Sequence, residues 1–179
     1  MQPFTAVFTE DRVVVPSRSE ADSLFNDGYG YWGEDNLLHL DKSEILYNVE
    51  RQKIVVVDEK DNKKLSFKEL LIFYNGKDPE TWDHFIIFKD LRTRGFVIKK
   101  EPHNKGFVVW ERGMYGTNPP DYRIIIISEG SPRKLDEFYD IIKKSEEKSM
   151  ETKLAVIDRR GEIVYYTLSE AFTRLSQEN

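Results

Sequence analysis

The chain has 179 residues, of which 39% are hydrophobic and 33% charged, and its formal net charge is -5. This length allows one large domain or two small ones with a packed core. The negative charge argues against a protein that coats nucleic acid without specificity, although one face can still bind RNA. The absence of cysteine excludes disulfide scaffolds, zinc ribbons and cysteine nucleophiles, as is typical of intracellular proteins.

The sequence also argues against targeting segments and metal sites. The start, MQPFTAVFTEDRVVV, has no basic region followed by a long apolar run, so no signal peptide is expected. No stretch approaches about 18 apolar residues, so we expect no membrane span. The histidines His39, His84 and His103 are isolated from one another and from clustered carboxylates. We therefore predict a cytoplasmic protein with no metal and no cofactor.

The first part of the chain predicts alternating strands and helices. AVFTEDRVVVP contains two short strand-like runs, and SEADSLFNDG has helical spacing that ends at Gly28. YGYWGEDNLLHL is predicted to be extended. Asp41 with Glu44 and Ser66 with Glu69 both have capping-box spacing, which predicts two more helices around the strand KIVVV.

The segment NGKDPE, residues 75–80, is the best candidate domain boundary because Gly, Asp and Pro cluster between two apolar segments. Pro79 suits the first turn of a helix capped by Asp78, which we expect to end near Gly95. Its inward residues are predicted to be Trp82, Phe85, Ile86, Phe88 and Leu91. Strands are predicted at 96–100, 106–112 and 122–128, a helix at 131–150, and a final hairpin in KLAVIDRRGEIVYYTL.

Together these elements predict an α+β N-terminal domain followed by an α/β C-terminal domain with a mixed sheet flanked by helices. The N-terminal domain is predicted to comprise residues 1–78 and the C-terminal domain residues 79–179.

Three stretches, in this order, resemble the archaeal tRNA-intron (tRNA-splicing) endonuclease family. They are LDKSEILYNVERQKIVVVDEKDNKKLSFKEL, FKDLRTRGFVIKK and KLAVIDRRGEIVYY. The resemblance implies the fold of that family's N-terminal and catalytic domains. It also implies cleavage of precursor tRNA at a bulge–helix–bulge without metal, leaving a 2′,3′-cyclic phosphate and a 5′-hydroxyl. The family performs this chemistry with a Tyr, a His and a Lys.

The resemblance also implies where these three groups should lie, and this chain departs from the pattern at each place. The tyrosine's place, at the end of GFVVW, is Trp110, whose indole has no accessible ionisation and cannot act as a base. The histidine's place falls at about Pro119. The lysine's place falls at about Met150, or at Lys148 or Lys153 when the alignment contains a gap. General acid–base groups contribute about 10²–10⁴-fold each. The segment around Trp110 therefore resembles a degenerate active site.

A chain with this fold and no triad resembles the structural subunit of the family's heterotetrameric enzymes. That resemblance implies a catalytic subunit as partner and precursor tRNA as substrate of the assembly, with a homodimer possible when the chain is alone. Two alternatives remain open. One is an active endonuclease with shifted residues, for which Tyr115, His103 and Lys153 are the candidates, and the other is a protein–protein adaptor that reuses the fold.

Two groups of residues are candidates for contacts within such an assembly. In the hairpin, Asp158 and Glu162 flank two arginines in the turn DRRGE, and Val164 and Tyr166 follow on a strand that we predict to be an edge. The basic segment from Lys89 to Arg112 predicts RNA-phosphate contacts. Its candidates are Arg92, Arg94, Lys99, Lys100, Lys105 and Arg112.

Overall fold

The computed structural model describes residues 2–101, 106–129 and 150–167. The chain divides into two compact units, Met1–Lys89 and Asp90–Asn179. The predicted domain boundary after residue 78 stays a prediction, since the first compact unit continues to Lys89 and includes the first part of the fourth helix. Residues 131–149 of the helix predicted at 131–150 lie outside the described residues, as do His103 and Lys105.

The first unit contains a mixed sheet of six strands in the order β3-β4-β2-β1-β5-β6. Strands β1 and β5 are parallel, and the other neighbours are antiparallel. The strands are β1 (Phe4–Thr9), β2 (Arg12–Val15), β3 (Tyr31–Trp32), β4 (Leu38–Leu40), β5 (Ile54–Asp58) and β6 (Lys64–Leu65). The helices are α1 (Arg18–Asn26), α2 (Lys42–Glu50) and α3 (Phe67–Lys77), followed by α4 (Thr81–Thr93).

Alternation along the strands decides which face of this sheet forms the core. Ala6, Val13 and Val56 are almost fully buried, and Phe8, on the same face, packs edge-on against Phe73 of α3 with ring centroids 5.0 Å apart. This is the helix-covered face of the sheet. The side chains that alternate with these residues form the opposite, outer face.

Both predicted capping boxes are present. In α2, the Asp41 side chain accepts from the Ser43 N–H, and Glu44 accepts from the Asp41 N–H at 2.9 Å. Glu44 is buried and also accepts from the Gly30 N–H at 2.9 Å. Gly30 has φ +71°, a left-handed conformation that glycine adopts without strain. The capping box therefore also anchors the segment before β3.

The second capping box, at the start of α3, is exposed. Ser66 accepts from the Glu69 N–H, and Glu69 accepts from the Ser66 N–H at 2.9 Å. The Lys63 ammonium also bonds Glu69, at 2.6 Å, and with the Ser66 bonds it lowers the pKa of Glu69 to about 2. The same sequence motif thus serves one buried and one exposed helix end.

The fourth helix differs in detail from its prediction. It begins at Thr81, after a turn in which the Asp78 side chain accepts from the Glu80 N–H at 3.0 Å. Trp82 is 45% exposed, and Ile87, not Ile86, is fully buried. The inward face was therefore predicted one residue out of register at that position, because either isoleucine fits the helical period.

The second unit contains a mixed sheet of five strands in the order β11-β10-β9-β8-β7. Strands β9 and β10 are parallel, and the other neighbours are antiparallel. The strands are β7 (Val97–Lys100), β8 (Gly106–Trp110), β9 (Tyr122–Ser128), β10 (Glu151–Ile157) and β11 (Ile163–Thr167). The two mixed sheets with helices confirm the predicted fold class.

Candidate functional site

Trp110, the last residue of β8, is packed into the loop that follows it. Its indole N–H donates to the Asn118 carbonyl oxygen at 2.9 Å, and the Tyr115 ring lies edge-on to it with centroids 5.1 Å apart. The one polar hydrogen of the indole is therefore already bonded within the protein. An indole offers no accessible proton acceptor, so this position holds no general base.

The loop between β8 and β9 is closed by its own hydrogen bonds. The Asp121 carboxylate accepts from the Glu111 N–H at 2.7 Å, and the Asn118 N–H donates to the Met114 carbonyl at 3.1 Å. Pro119 lies exposed in this loop and has no side-chain group that can transfer a proton. The loop is thus a compact structure held by internal contacts around Trp110.

Strand register separates Lys153 from Trp110. Val109 is paired with Tyr122, so both lie on one face of the sheet, and Trp110, the next residue, projects from the other face. Lys153 is paired with Ile124, which lies on the same face as Tyr122. The Lys153 ammonium indeed lies 3.9 Å from the centre of the Tyr122 ring. Lys153 and Trp110 therefore project from opposite faces. Met150 lies just before β10 and offers no ionisable group.

The tyrosines on the Lys153 face are poor proton acceptors. Burial raises the pKa of Tyr122, although Arg94 acts in the opposite direction. Burial also raises the pKa of Tyr165 well above its usual range, and its hydroxyl donates to the Asp90 carboxylate at 2.7 Å, which raises it further. Both side chains are therefore protonated at neutral pH.

The fallback trio of Tyr115, His103 and Lys153 is not assembled within the described residues. Tyr115 lies against Trp110, whereas Lys153 lies over Tyr122 on the other face of the sheet. His103 lies outside the described residues. General acid–base catalysis requires groups within about 3 Å of the proton that they transfer. The catalytic role of this trio remains a prediction without support from the geometry of Tyr115 and Lys153.

Several candidate RNA contacts lie near one another at the start of the second unit. The Arg112 guanidinium donates to the Arg94 carbonyl at 2.7 Å, and the Arg94 side chain lies over the Tyr165 ring and forms an ion pair with Asp90 at 3.3 Å. Arg92 donates to the Phe96 carbonyl at 3.2 Å. Lys99 and Lys100 lie on β7, and Lys105 lies outside the described residues.

The hairpin tip is held by its own acidic residue. The Asp158 carboxylate accepts from the backbone N–H groups of Arg160 and Glu162, both at 2.8 Å. Val164 is 47% exposed, and Tyr166 is half-buried on the same face of β11, which is the edge strand of the sheet. The apolar edge predicted for Val164 is therefore exposed, while the Asp158 carboxylate is engaged in its own turn.

Sequence reasoning missed a buried ion pair beneath this site. Arg123 of β9 forms two hydrogen bonds, both 2.6 Å long, to the carboxylate of Glu101, and both residues are buried. The pair links the end of β7 to the central strand β9. A charged residue inside the apolar run YRIIII was the available signal, but its partner is far away in sequence.

Within the described part of the chain, no group of three His, Cys, Asp or Glu residues is arranged to hold a metal ion. In the same residues, no helix is both long enough and apolar enough to cross a membrane. The site thus consists of a closed aromatic loop, a lysine and tyrosines on the opposite face, and basic residues at the start of the unit.

The structure defines a two-unit protein in which each unit contains a mixed sheet, and comparison with known proteins identifies the family. The tRNA intron endonuclease N-terminal domain matches residues 4–71, and the catalytic C-terminal domain of the same family matches residues 81–165. The chain therefore belongs to the tRNA intron endonuclease family, which confirms the resemblance.

Curated relatives agree with this assignment. A tRNA-splicing endonuclease from Methanococcus vannielii is 27% identical over 91% of this chain and 92% of its own length. One from Thermococcus onnurineus is 29% identical over 84% of this chain and 88% of its own length. A relative from Methanococcoides burtonii is also 29% identical, but the match covers 45% of that longer protein.

Proposed function

We propose that this chain is the structural, non-catalytic subunit of a tRNA-splicing endonuclease. The observation that carries the proposal is Trp110, whose indole N–H is bonded to Asn118 at the place where the family resemblance implies a catalytic tyrosine. An active site that lacks a base, an acid and a cation loses about 10²–10⁴-fold for each acid–base group. The chain then contributes structure rather than chemistry.

The proposed partner is a catalytic subunit of the same family, and the substrate of the assembly is precursor tRNA with a bulge–helix–bulge. In this proposal the exposed edge strand β11, with Val164, contributes to the subunit interface. Arg94 and Arg112 lie together and supply positive charge for RNA phosphates. The assembly is a cytoplasmic hetero-oligomer, in which this chain helps to position the partner's active sites on the RNA.

Reconstitution tests the proposal directly. The purified chain is mixed with a catalytic subunit that retains Tyr, His and Lys, and cleavage of an intron-bearing precursor tRNA is followed by gel. We expect cleavage by the mixture, none by this chain alone, and none when the partner's triad is substituted. If neither co-purification nor mixing links the chain to a catalytic partner, the protein is an adaptor outside tRNA splicing.

A second candidate function is an active endonuclease that uses Tyr115 in place of the missing tyrosine. The observation in its favour is that the Tyr115 ring lies against Trp110, beside the vacated position. This candidate requires multiple-turnover cleavage by the partner-free chain and its loss in both Tyr115→Phe and Lys153→Ala. Cleavage with that response would overturn the structural-subunit proposal.

A further inference from the structure

The outer face of the six-stranded sheet carries a row of cross-strand partners. Tyr31, His39, Val14, Val7 and Val57 are successive Cα partners across β3, β4, β2, β1 and β5. They alternate with residues of the helix-covered face, so their side chains project away from it.

A cleft of about 540 Å³ opens on this outer face, and we call it the outer cleft. Its volume lies in the range of sites that hold a small ligand or a few side chains of a partner, roughly 300–1,000 Å³. Val7, Val14 and Leu37 give it an apolar surface. Its polar lining consists of Thr9, Glu10, Arg12, Asp35, His39 and Glu59.

His39 is the buried polar group of the outer cleft. Its side chain is 8% exposed, stacks on the Tyr31 ring, and bonds both Asp35 oxygens through Nε2 at 2.9 and 3.0 Å. An ionised carboxylate only accepts hydrogen bonds, so Nε2 is the nitrogen that donates to Asp35. Nδ1 has no hydrogen-bond partner within the described residues.

Gly33 leaves room for this arrangement. A Cβ at Gly33 would lie 2.6 Å from His39 Nε2 and 2.5 Å from an Asp35 oxygen. Any larger residue would therefore push the histidine and the aspartate apart. The imidazole edge that carries Nε2 faces Gly33 and Asp35, so the Nδ1 edge lies on the side away from Gly33.

The charges of the outer cleft favour a cationic hydrogen-bond donor. Glu10 and Glu59 form no ion pair within 4.0 Å among the described residues, and Asp35 is engaged by His39. The lining holds three carboxylates and one guanidinium, that of Arg12, so its net charge is negative in either protonation state of His39. This excess of negative charge repels phosphate and attracts guanidinium or ammonium groups.

From this geometry we propose that the outer cleft docks an arginine or lysine side chain, presented on an extended segment of a partner protein. The apolar residues contact the methylene groups of that side chain, and Glu10 and Glu59 bind its charged end. Charge complementarity carries the choice of occupant. The residues of the outer cleft belong to the first unit, whereas the loop of residues 111–121, which we call the Trp110 loop, belongs to the second unit.

The test uses the full chain and a defined probe. The tripeptide acetyl-Ala-Arg-Ala-amide is titrated at low salt, and ¹H–¹⁵N NMR shifts are followed. The matched probe replaces arginine by citrulline, which has the same shape without the charge. We expect saturable shifts centred on the amides of Val7, Val14 and His39. The citrulline peptide should bind about tenfold more weakly than the arginine peptide, and high salt should weaken binding of the arginine peptide.

A matched pair of variants locates the binding. Each exposed ion pair changes Kd by up to about fivefold, so Glu10→Gln with Glu59→Gln should weaken arginine-peptide binding by about tenfold. Glu34→Gln with Glu151→Gln removes the same charge from exposed carboxylates outside the cleft lining and should leave Kd within about twofold.

Four outcomes would overturn the proposal. Equal binding of the arginine and citrulline peptides would remove the charge argument. Equal weakening in both double variants, or shifts that map outside the outer cleft, would remove the location. Saturation by free guanidinium ion at the same concentration as the peptide would identify a small-cation site in place of a docking site for a protein segment.

Discussion

The Trp110 loop and the outer cleft are opposites in how they use polar groups. In the loop, the indole N–H and the Asp121 carboxylate are both bonded internally, to Asn118 and to the Glu111 N–H. In the outer cleft, the Glu59 carboxylate has no ion-pair partner within 4.0 Å among the described residues. The loop lies where family resemblance implies chemistry, and the cleft lies where it implies none.

This difference shows that a region can occupy the place of a family's active site and still offer a ligand no open polar group. A polar group whose hydrogen bonds are satisfied internally contributes to stability, and an open one is available to a ligand. The distinction can be measured, because removing a satisfied group should lower the free energy of unfolding and removing an open one should not.

The largest expected effect is at the buried pair below the Trp110 loop. Arg123→Met leaves the Glu101 carboxylate buried without its partner, which should lower the free energy of unfolding by about 3–5 kcal/mol. Urea denaturation measures this change. The matched control is Arg123→Met with Glu101→Leu, which removes both charges and should recover most of the loss. A single variant as stable as the parent would show that the pair is not buried.

A smaller effect is expected at Trp110 itself. Trp110→Phe removes the hydrogen bond to Asn118 and should lower the free energy of unfolding by about 0.5–1.5 kcal/mol. Precursor-tRNA cleavage by the reconstituted complex should not change. Trp82→Phe is the control, since that indole is 45% exposed and has no such bond. A selective loss of cleavage in Trp110→Phe would assign this side chain a role in the reaction.

The open cleft should tolerate substitution without loss of stability. Glu59→Gln removes an exposed carboxylate that forms no ion pair with the residues that the structure describes, so the free energy of unfolding should stay within about 0.5 kcal/mol of the parent value. Thermal and urea unfolding check this. A loss of stability comparable to that of Trp110→Phe would mean that the Glu59 carboxylate is bonded within the protein. The outer cleft would then not differ from the Trp110 loop in this respect.

The smallest effect is a shift in one titration. The hydrogen bond from His39 lowers the pKa of Asp35 below its ordinary value of 3.8. A lowered folded-state pKa stabilises the protein above the unfolded pKa, and this contribution is lost as pH falls through the folded value. NMR titration of the Asp35 side-chain carbon should show a midpoint below 3.8, and His39→Phe, which keeps a ring against Tyr31 and has no donor, should raise it. An unchanged midpoint would show that the bond does not form in solution.

The sequence predicted features that depend on neighbouring residues. The capping boxes at Asp41 and Ser66 are both present, because each motif closes within one helical turn. The final hairpin and the strands around the loop were also predicted, since alternation and turn residues are local signals. The family resemblance correctly predicted the order of the two domains.

Long-range pairing could not be predicted in this way. The burial of Glu44 depends on Gly30, and the partner of Arg123 is Glu101, on another strand. The face on which Lys153 projects depends on the register of β10 against β9, and a shift of one residue would reverse it. The outer cleft is lined by residues of β1, β2 and β4 and of segments next to strands, so no short pattern could reveal it.

Strand β10 has a consequence for incomplete forms of this protein. It lies between β9 and β11, and it covers the flank of β9, where Ile124, Ile125 and Ile126 are buried. A polypeptide that stops before Glu151, through nicking or interrupted synthesis, exposes an unpaired row of backbone amides beside these isoleucines. Such fragments should self-associate through that flank, so truncated material is expected in inclusion bodies.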